Sequence, residues 1–457
     1  PLQELYNADH TSRSTDYLLN GGLSYTLIPG LTVQSRYQYG RSLQEGRELF
    51  NQESYYTRNQ INRLSAVNPD GSLTYPIPMG SILNAENAVV NSHFLRAQLN
   101  FNRVIQGDHS INALGGWEMR DAGTFGTDYR LYGYDEEHAL NKAVDYITPF
   151  KRYDTPNGTA VIPYTDRQRE LSDRFISYFA NAAYSFKQRY IFSISGRIDK
   201  SNIFGVDANQ KGVPLWSAGL AWNISDEAWY KPSFLPYLKV RASYGYSGNT
   251  DRSMSAYTTA SYSSGSSTLT RQPFASILNP PNPELQWERV KMINLGIDFR
   301  SAGNVLSGTL EFYTKRGLDL LGTSPFAPAS GISLFKGNNA STSGRGIDLV
   351  LNSQNIDRIF KWNSNFLFSY NSDKVTNHKV KATATAYVQT IAQPHEGNSL
   401  YGMYSYAWGG LDPQTGDPMG YLDGQLSKDY SKLISSARPE NIIYHGSARP
   451  VLTGSLR

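Results

Sequence analysis

Residues 215–248 alternate between apolar and polar twice in succession. Trp216, Ala218, Leu220, Trp222 and Ile224 are separated by Ser217, Gly219, Ala221 and Asn223. Leu238, Val240, Ala242, Tyr244 and Tyr246 then alternate with Lys239, Arg241, Ser243, Gly245 and Ser247. Successive side chains of a strand point to opposite sides, so each segment has one apolar and one polar face. Such segments recur as six pairs along the 457 residues, each pair parted from the next by a long polar stretch. Strands of about ten residues with one lipid-compatible face are what a transmembrane β-barrel requires. The pattern predicts an all-β, antiparallel transmembrane barrel wall of 12–13 strands with long extracellular loops.

The pairs are expected at 16–28 and 30–40, 92–104 and 108–120, 174–186 and 189–199, 215–225 and 237–248, 288–300 and 304–316, and 345–354 and 360–371. A thirteenth strand is expected to begin near Ser447. The intervening stretches 41–91, 121–173, 200–214, 249–287, 317–344 and 372–446 are rich in Gly, Ser, Asn, Asp, Pro and Tyr, as in 248–267. Compact soluble domains rarely carry so many loops beyond ~15 residues, whereas outer-membrane barrels pair short periplasmic turns with long outer loops. Pair starts near 16, 92, 174, 215, 288 and 345 follow no fixed period, which disfavours a propeller or solenoid.

Composition narrows the class further. Charged residues are 18% and aromatics 13%, and Tyr and Trp suit a membrane interface because one end is apolar and the other hydrogen-bonds. No run of apolar residues is long enough for a membrane helix, a test that a half-polar barrel strand escapes. A net charge of +4 without a long basic run argues against nucleic-acid binding, and the lack of cysteine excludes disulfides and thiolate metal sites. The start at Pro1 and the strand still running at Arg457 lead to the expectation of an internal piece of a longer protein.

Several segments resemble the SusC/RagA family of TonB-dependent outer-membrane transporters. They are Arg189-Tyr190-Ile191-Phe192-Ser193 with Gly196-Arg197-Ile198-Asp199 and Ser201-Asn202; Pro214-Leu215-Trp216-Ser217 with Ala221-Trp222-Asn223-Ile224-Ser225; and the run from Leu238 to Gly245 with Gly248-Asn249. Asn282-Pro283-Glu284-Leu285-Gln286-Trp287-Glu288, leading into Asn294-Leu295-Gly296-Ile297-Asp298-Phe299, is another. So is Gly410-Leu411-Asp412-Pro413-Gln414-Thr415-Gly416-Asp417-Pro418 with Gly420-Tyr421. Their order and spacing over 189–457 carry the resemblance; residues 1–188 agree in pattern rather than motif. It implies that residues 1–457 are part of a single barrel domain of about 22 strands, in which the N-terminal plug and C-terminal closing strands lie outside this chain. It also implies an outer-membrane location, a SusD-like surface lipoprotein as partner, energy through the TonB complex, and an oligosaccharide or a peptide as cargo.

Chemistry-bearing motifs are sparse. Asp135-Glu136-Glu137 and Asp226-Glu227 lack a nearby nucleophile signature and read as solvated loop charge. Asp412, Asp417 and Asp423 do not fit the calcium-loop spacing; turn formation is favoured over cation binding, and no cofactor is expected. No His pair forms H-E-x-x-H and no G-x-S-x-G is present, so no enzymatic activity is expected. The aromatic run Tyr401, Tyr404, Tyr406 and Trp408, followed by Asp412 and Asp417, is the candidate site for substrate or lipoprotein contact, set against simple packing within a folded loop. Trp117, Trp216, Trp222, Trp362 and Tyr25 are expected to face lipid, and Arg96, Arg197, Arg241, Glu118 and Glu311 the lumen. An importer is thus the leading function. A barrel adhesin or scaffold without energised transport is the alternative. A secreted polysaccharide-cleaving enzyme would need a carboxylate dyad and a wet outer face.

Overall fold

The computed structural model describes residues 3–155, 157–202, 212–249, 251, 254–266, 272–330, 332, 334–435 and 441–457. Thirteen of its strands form one antiparallel sheet. They are β1 Ala8–Ile28, β2 Leu31–Phe50, β3 Ser81–Ile105, β4 His109–Tyr134, β5 Arg167–Phe186, β6 Tyr190–Ser201, β7 Gly212–Asn223, β8 Tyr237–Asn249, β9 Glu288–Arg300, β10 Leu306–Pro325, β11 Leu334–Asp357, β12 Lys361–Asn377 and β13 Leu452–Leu456. Order in the sheet is order in the chain, so each strand pairs with its sequence neighbours.

Tight turns close most of one end of the sheet; the exception is the longer 224–236 connection between β7 and β8. Lys187 and Gln188 both take positive φ (52° and 55°), the backbone twist that matches two flanking antiparallel strands. At Gly30, φ is +90° and a Cβ would lie 2.5 Å from the Asn102 carbonyl oxygen, so a side chain is barred twice over.

Register turns thirteen alternating segments into one continuous apolar face. Val33 lies between Tyr25 and Leu99. Trp117 lies between Ala97 and Tyr178. Phe192 lies between Tyr184 and Leu220. Leu295 lies between Ala242 and Phe312, and Ile347 between Phe312 and Tyr370. These side chains have no protein layer over them; Leu220 is 62% exposed and Leu23 80%. A contiguous apolar face this wide, rimmed by aromatics, is the outer surface of a membrane barrel. Tyr25, Trp117, Trp216, Trp222 and Trp362 all lie on it and are all exposed, as the alternation predicts.

The strands are longer than the alternation predicts. β3 and β4 run 25 and 26 residues, where crossing the bilayer takes about 9–11. The stretches expected to be loops at 41–91, 121–173 and 317–344 shrink to 51–80, 135–166 and 326–333. Outside the bilayer both faces of a strand are wet, so polar residues such as Arg41, Glu45 and Arg47 occupy the outward face of β2 and erase the alternation. The backbone ladder needs no apolar face and continues. The expected strand at Ser447 is also corrected: Ile442–Ser447 pairs with Gly402–Tyr406 in a separate ribbon, and β13 starts at Leu452. Parts of the 200–214 and 249–287 stretches, including Ser267, lie outside the described residues.

The first outer loops fold onto the inner face. Helix α1, Tyr55–Leu64, starts where the Ser54 hydroxyl accepts from the Thr57 amide at 3.2 Å. Its Ile61 and Leu64 pack with Ile77, Ile162 and the strand residues Ile82 and Tyr132.

Placing a charge in the bilayer plane tests this orientation. Leu295→Arg is expected to destabilise the refolded full-length barrel in lipid vesicles by about 2–4 kcal/mol, the range for a cation at the midplane. Asn181→Arg, on the inner face, is expected to stay within about 0.5 kcal/mol. Denaturant titration monitored by tryptophan fluorescence measures both.

Candidate functional site

The inner face is charged, and its charges reach across strands. Glu118 on β4 accepts from Arg197 on β6 at 2.5 Å, over the intervening β5, where Ser177 is small and buried. Arg197 also holds Asp199 at 2.6 Å, and Arg96 on β3 reaches Glu118 at 3.7 Å. Arg241 on β8 contacts Glu311 on β10 at 2.5 Å across β9 and binds Asp298 at 2.9 Å. The residue beneath that arch is Gly296, where a Cβ would lie 3.1 Å from the Arg241 guanidinium carbon. Arg169 on β5 arches to Glu86 on β3 in the same way, over Gly126. Side chains two strands apart meet most readily on the concave side of a curved sheet. This face is therefore the inside, and Arg96, Arg197, Arg241, Glu118 and Glu311 share it. The sequence foresaw their side; it did not foresee that they bind one another.

Several cavities open on this face, among them two of over 500 Å³. One of about 630 Å³ is lined by Glu48, Glu86, Asp128, Arg130, Arg167 and Arg169 among others. The other, about 510 Å³, is bounded by Phe94, Glu118, Arg120, Arg197, Asp199 and Trp287. Trp287 comes from the loop before β9 and is 9% exposed, packed with Leu285, Met254 and Ala256 against Phe175, Val213 and Leu321. Gln286 and Asn338 exchange hydrogen bonds at 3.0 and 2.9 Å, which pins this segment to β11. The segment from Asn282 to Glu288 is thus an inward-folded loop anchor that forms one wall of a cavity. Its burial was not read from the sequence; an apolar Leu285–Trp287 pair inside a polar stretch was the available signal.

The aromatic and acidic candidates lie in one folded loop unit between β12 and β13, but they do not converge. Tyr404 is buried (8% exposed), its ring among Tyr387, His395 and Tyr444 at 5.4–6.0 Å from His395 and its tyrosine neighbours. Its hydroxyl accepts from the Asn398 amide at 3.2 Å, and burial raises its pKa. Tyr406 hydrogen-bonds Thr385 at 3.1 Å, on the short helix Ala384–Gln389. Tyr401 lies under the Arg449 guanidinium, 3.4 Å from carbon to ring centroid. Trp408 alone of the four is open to solvent, at 63%. Asp412 and Asp417 meet on the Lys428 ammonium at 2.7 and 3.4 Å, so the cation they hold belongs to the chain itself. Asp412 also accepts from the amides of Gln414 and Thr415, closing the turn at 2.8 and 3.1 Å. Lys428 and these amides lower its carboxyl pKa to about 2.

The family model described as TonB dependent receptor-like, beta-barrel matches residues 4–438. The chain is 27% identical over 364 residues to TonB-dependent receptor P3 of Formosa agariphila, covering 73% of this chain and 35% of that protein. It is 25% identical over 237 residues to TonB-dependent receptor SusC of Bacteroides thetaiotaomicron, covering 49% of this chain and 23% of that protein. Among solved structures, a chain of the RagAB peptide transporter shares the fold with a TM-score of 0.74 at 19% identity, over 99% of this chain and 46% of that one. This chain therefore spans less than half the length of these relatives.

Acid should loosen the Lys428 turn in a defined window. The Asp412 carboxyl titrates at about 2 in the folded turn against an ordinary 3.8, so its stabilising contribution is present above that ordinary value and lost as pH falls toward about 2. Hydrogen exchange at the Gln414 and Thr415 amides is expected to lose protection across that window. Asp412→Asn should shrink this pH dependence to the part supplied by Asp417, whose carboxyl Thr415 and Lys428 also hold below its usual range. Separately, Tyr404→Ala should destabilise the loop unit by about 3 kcal/mol, seen as faster proteolysis of residues 378–448, whereas Trp408→Ala should leave cleavage unchanged.

Proposed function

This chain belongs to the TonB-dependent receptor β-barrel family, and on that premise we propose that it forms part of the wall of a SusC/RagA-type importer of an oligosaccharide or a peptide. It is an outer-membrane protein. The observation that carries import, over anchorage alone, is the inward-folded Trp287 segment beside the Arg120, Arg197 and Asp199 cavity. A wall that served only as an anchor would have no use for loops that shape polar cavities inside it. Aromatic surface set among paired charges and hydrogen-bonding groups suits a polar oligomer, with sugar faces or peptide side chains on the rings and hydroxyls or amides on the arginines and carboxylates.

Physics and the family support the following reading of the rest of the machine. β1 and β13 are the two edges of the sheet, and lipid offers their backbone groups no hydrogen-bond partner. Residues 1–457 are then part of a single barrel domain closed by further strands of the same protein, around a plug that TonB displaces. A SusD-like lipoprotein covers the outer mouth, and Trp408 is the exposed ring through which the loop unit meets that lid or the cargo. No bond is broken in this scheme: Glu118 and Asp199 both pair with Arg197 and form part of the polar wall.

Uptake in the native organism tests the proposal. Deleting the full-length gene should abolish accumulation of fluorescent oligosaccharide or peptide pools, and collapsing the proton-motive force should do the same in the intact strain. Trp408→Ala should lower uptake or lipoprotein co-purification while leaving the amount of folded barrel unchanged. Undiminished uptake of every pool in the deletion strain would favour the adhesin or scaffold alternative.

A further inference from the structure

We propose that the outward face of β9 to β12 carries a docking site for an outer-leaflet lipid whose headgroup bears phosphate. Four cations build it: Lys291, Arg316, Arg345 and Lys374. Lys291 stands directly opposite Arg316, Arg316 opposite Ser343, and Ser343 opposite Lys374, so one row crosses all four strands. Arg345 sits one outward step below, opposite Thr314 and Ser372. Three successive strand spacings make the row roughly 14 Å wide.

Depth is set by the neighbours of the row. On β8 the row continues to Tyr246, directly opposite Lys291, and Tyr246 clusters with Trp216 and Tyr244 at ring separations of 5.4–5.9 Å. Aromatic clusters of this kind mark the membrane–water interface. The outward positions further from the long loops are Leu295, Phe312, Ile347 and Tyr370, the start of the apolar belt. Glu288, where β9 begins, adjoins the long loop, so the row lies at the outer rim of the bilayer.

Charge balance supplies the need for a ligand. Like charges placed directly opposite in a sheet repel. Some other outward cations have acids beside them: Arg174 has Asp121 at 3.4 Å, and Arg289, one step above the row, holds Asp319. Among the described residues, none of the four is in an ion pair; Lys291 meets only the Tyr244 ring, at 5.2 Å. Four cations without counter-charge, lined up where lipid headgroups lie and directly above acyl-chain-compatible surface, fit an anion that carries its own hydrocarbon anchor. This inference depends on the membrane orientation and not on the cargo or the lid.

The test uses full-length protein in detergent, with lipid A as the phosphate-bearing probe, its dephosphorylated form, and inorganic phosphate as competitor. Retained lipid per protein is counted by native mass spectrometry. Wild-type protein is expected to retain lipid A, not the dephosphorylated form, and inorganic phosphate should fail to displace it. K291Q/R316Q is expected to weaken retention roughly fivefold per charge removed, and K315Q, on the inner face of β10, should leave it unchanged. Equal retention by K291Q/R316Q, equal retention of the dephosphorylated lipid, or full displacement by inorganic phosphate would each overturn the assignment. If the double variant fails to fold, shown by loss of heat-modifiable migration on a gel, the wild-type comparison of the two lipid forms still decides.

Discussion

Backbone hydrogen bonding in a solvent that offers none is the constraint on which the rest of the structure depends. A strand in lipid must give every N–H and C=O to a neighbouring strand. The simplest topology that does so with short connections is the one seen, with thirteen strands in sequence order, each beside its chain neighbours. Once the ladder is continuous, a slip of one residue anywhere would turn a whole strand's apolar set inward. Pairs such as Leu295 between Ala242 and Phe312 record how tightly that register is held.

The inner face is free of that demand and carries the specificity of the molecule. Curvature brings side chains from alternate strands together on the concave side, and small residues in the strand between give them room. Gly296 beneath the Arg241–Glu311 contact and Gly126 beneath Arg169 are the clearest cases. The arches pair many of the inner charges and contribute to the polar walls of the cavities. Apolar loop residues can then be buried without facing lipid or water: Ile61 and Leu64 settle against Ile82 and Tyr132, and Leu285 and Trp287 against Phe175 and Val213. The loop unit after β12 has its own small aromatic centre at Tyr404 and its own internal cation at Lys428. On the outer face, by contrast, the row from Lys291 to Lys374 has no acid of its own. Charge there must be balanced from the membrane.

The outer, lipid-facing surface was legible in the sequence because lipid punishes polar residues there, and the punishment writes a period of two into the chain. Tyr25, Trp117, Trp216, Trp222 and Trp362 were assigned to it from alternation alone, and short turns marked one end of every pair but the fourth, which is joined through 226–236. Where water wets both faces, the period disappears. The wet ends of β2, β3, β4 and β11 therefore read as loop, and the thirteenth strand, expected from near Ser447, begins at Leu452, after a ribbon in which Ile442–Ser447 pairs with Gly402–Tyr406. The run Tyr401, Tyr404, Tyr406 and Trp408 looked like one site; pairing across that ribbon, a helix contact and Arg449 divide it into one core ring, two tethered rings and one free ring.

By itself the sequence determined the strand-rich class, the antiparallel order, the lipid-facing side and the end that carries the long loops, since each follows from interactions between a side chain and its solvent or between residues close in the chain. Only the tertiary structure decided which charges meet, how far the ladder runs beyond the bilayer, and which loop residues enter the lumen. Glu118 and Arg197, or Asp412 and Lys428, are partners through sheet curvature and loop closure, and no local pattern encodes a distance between residues that the fold alone brings together.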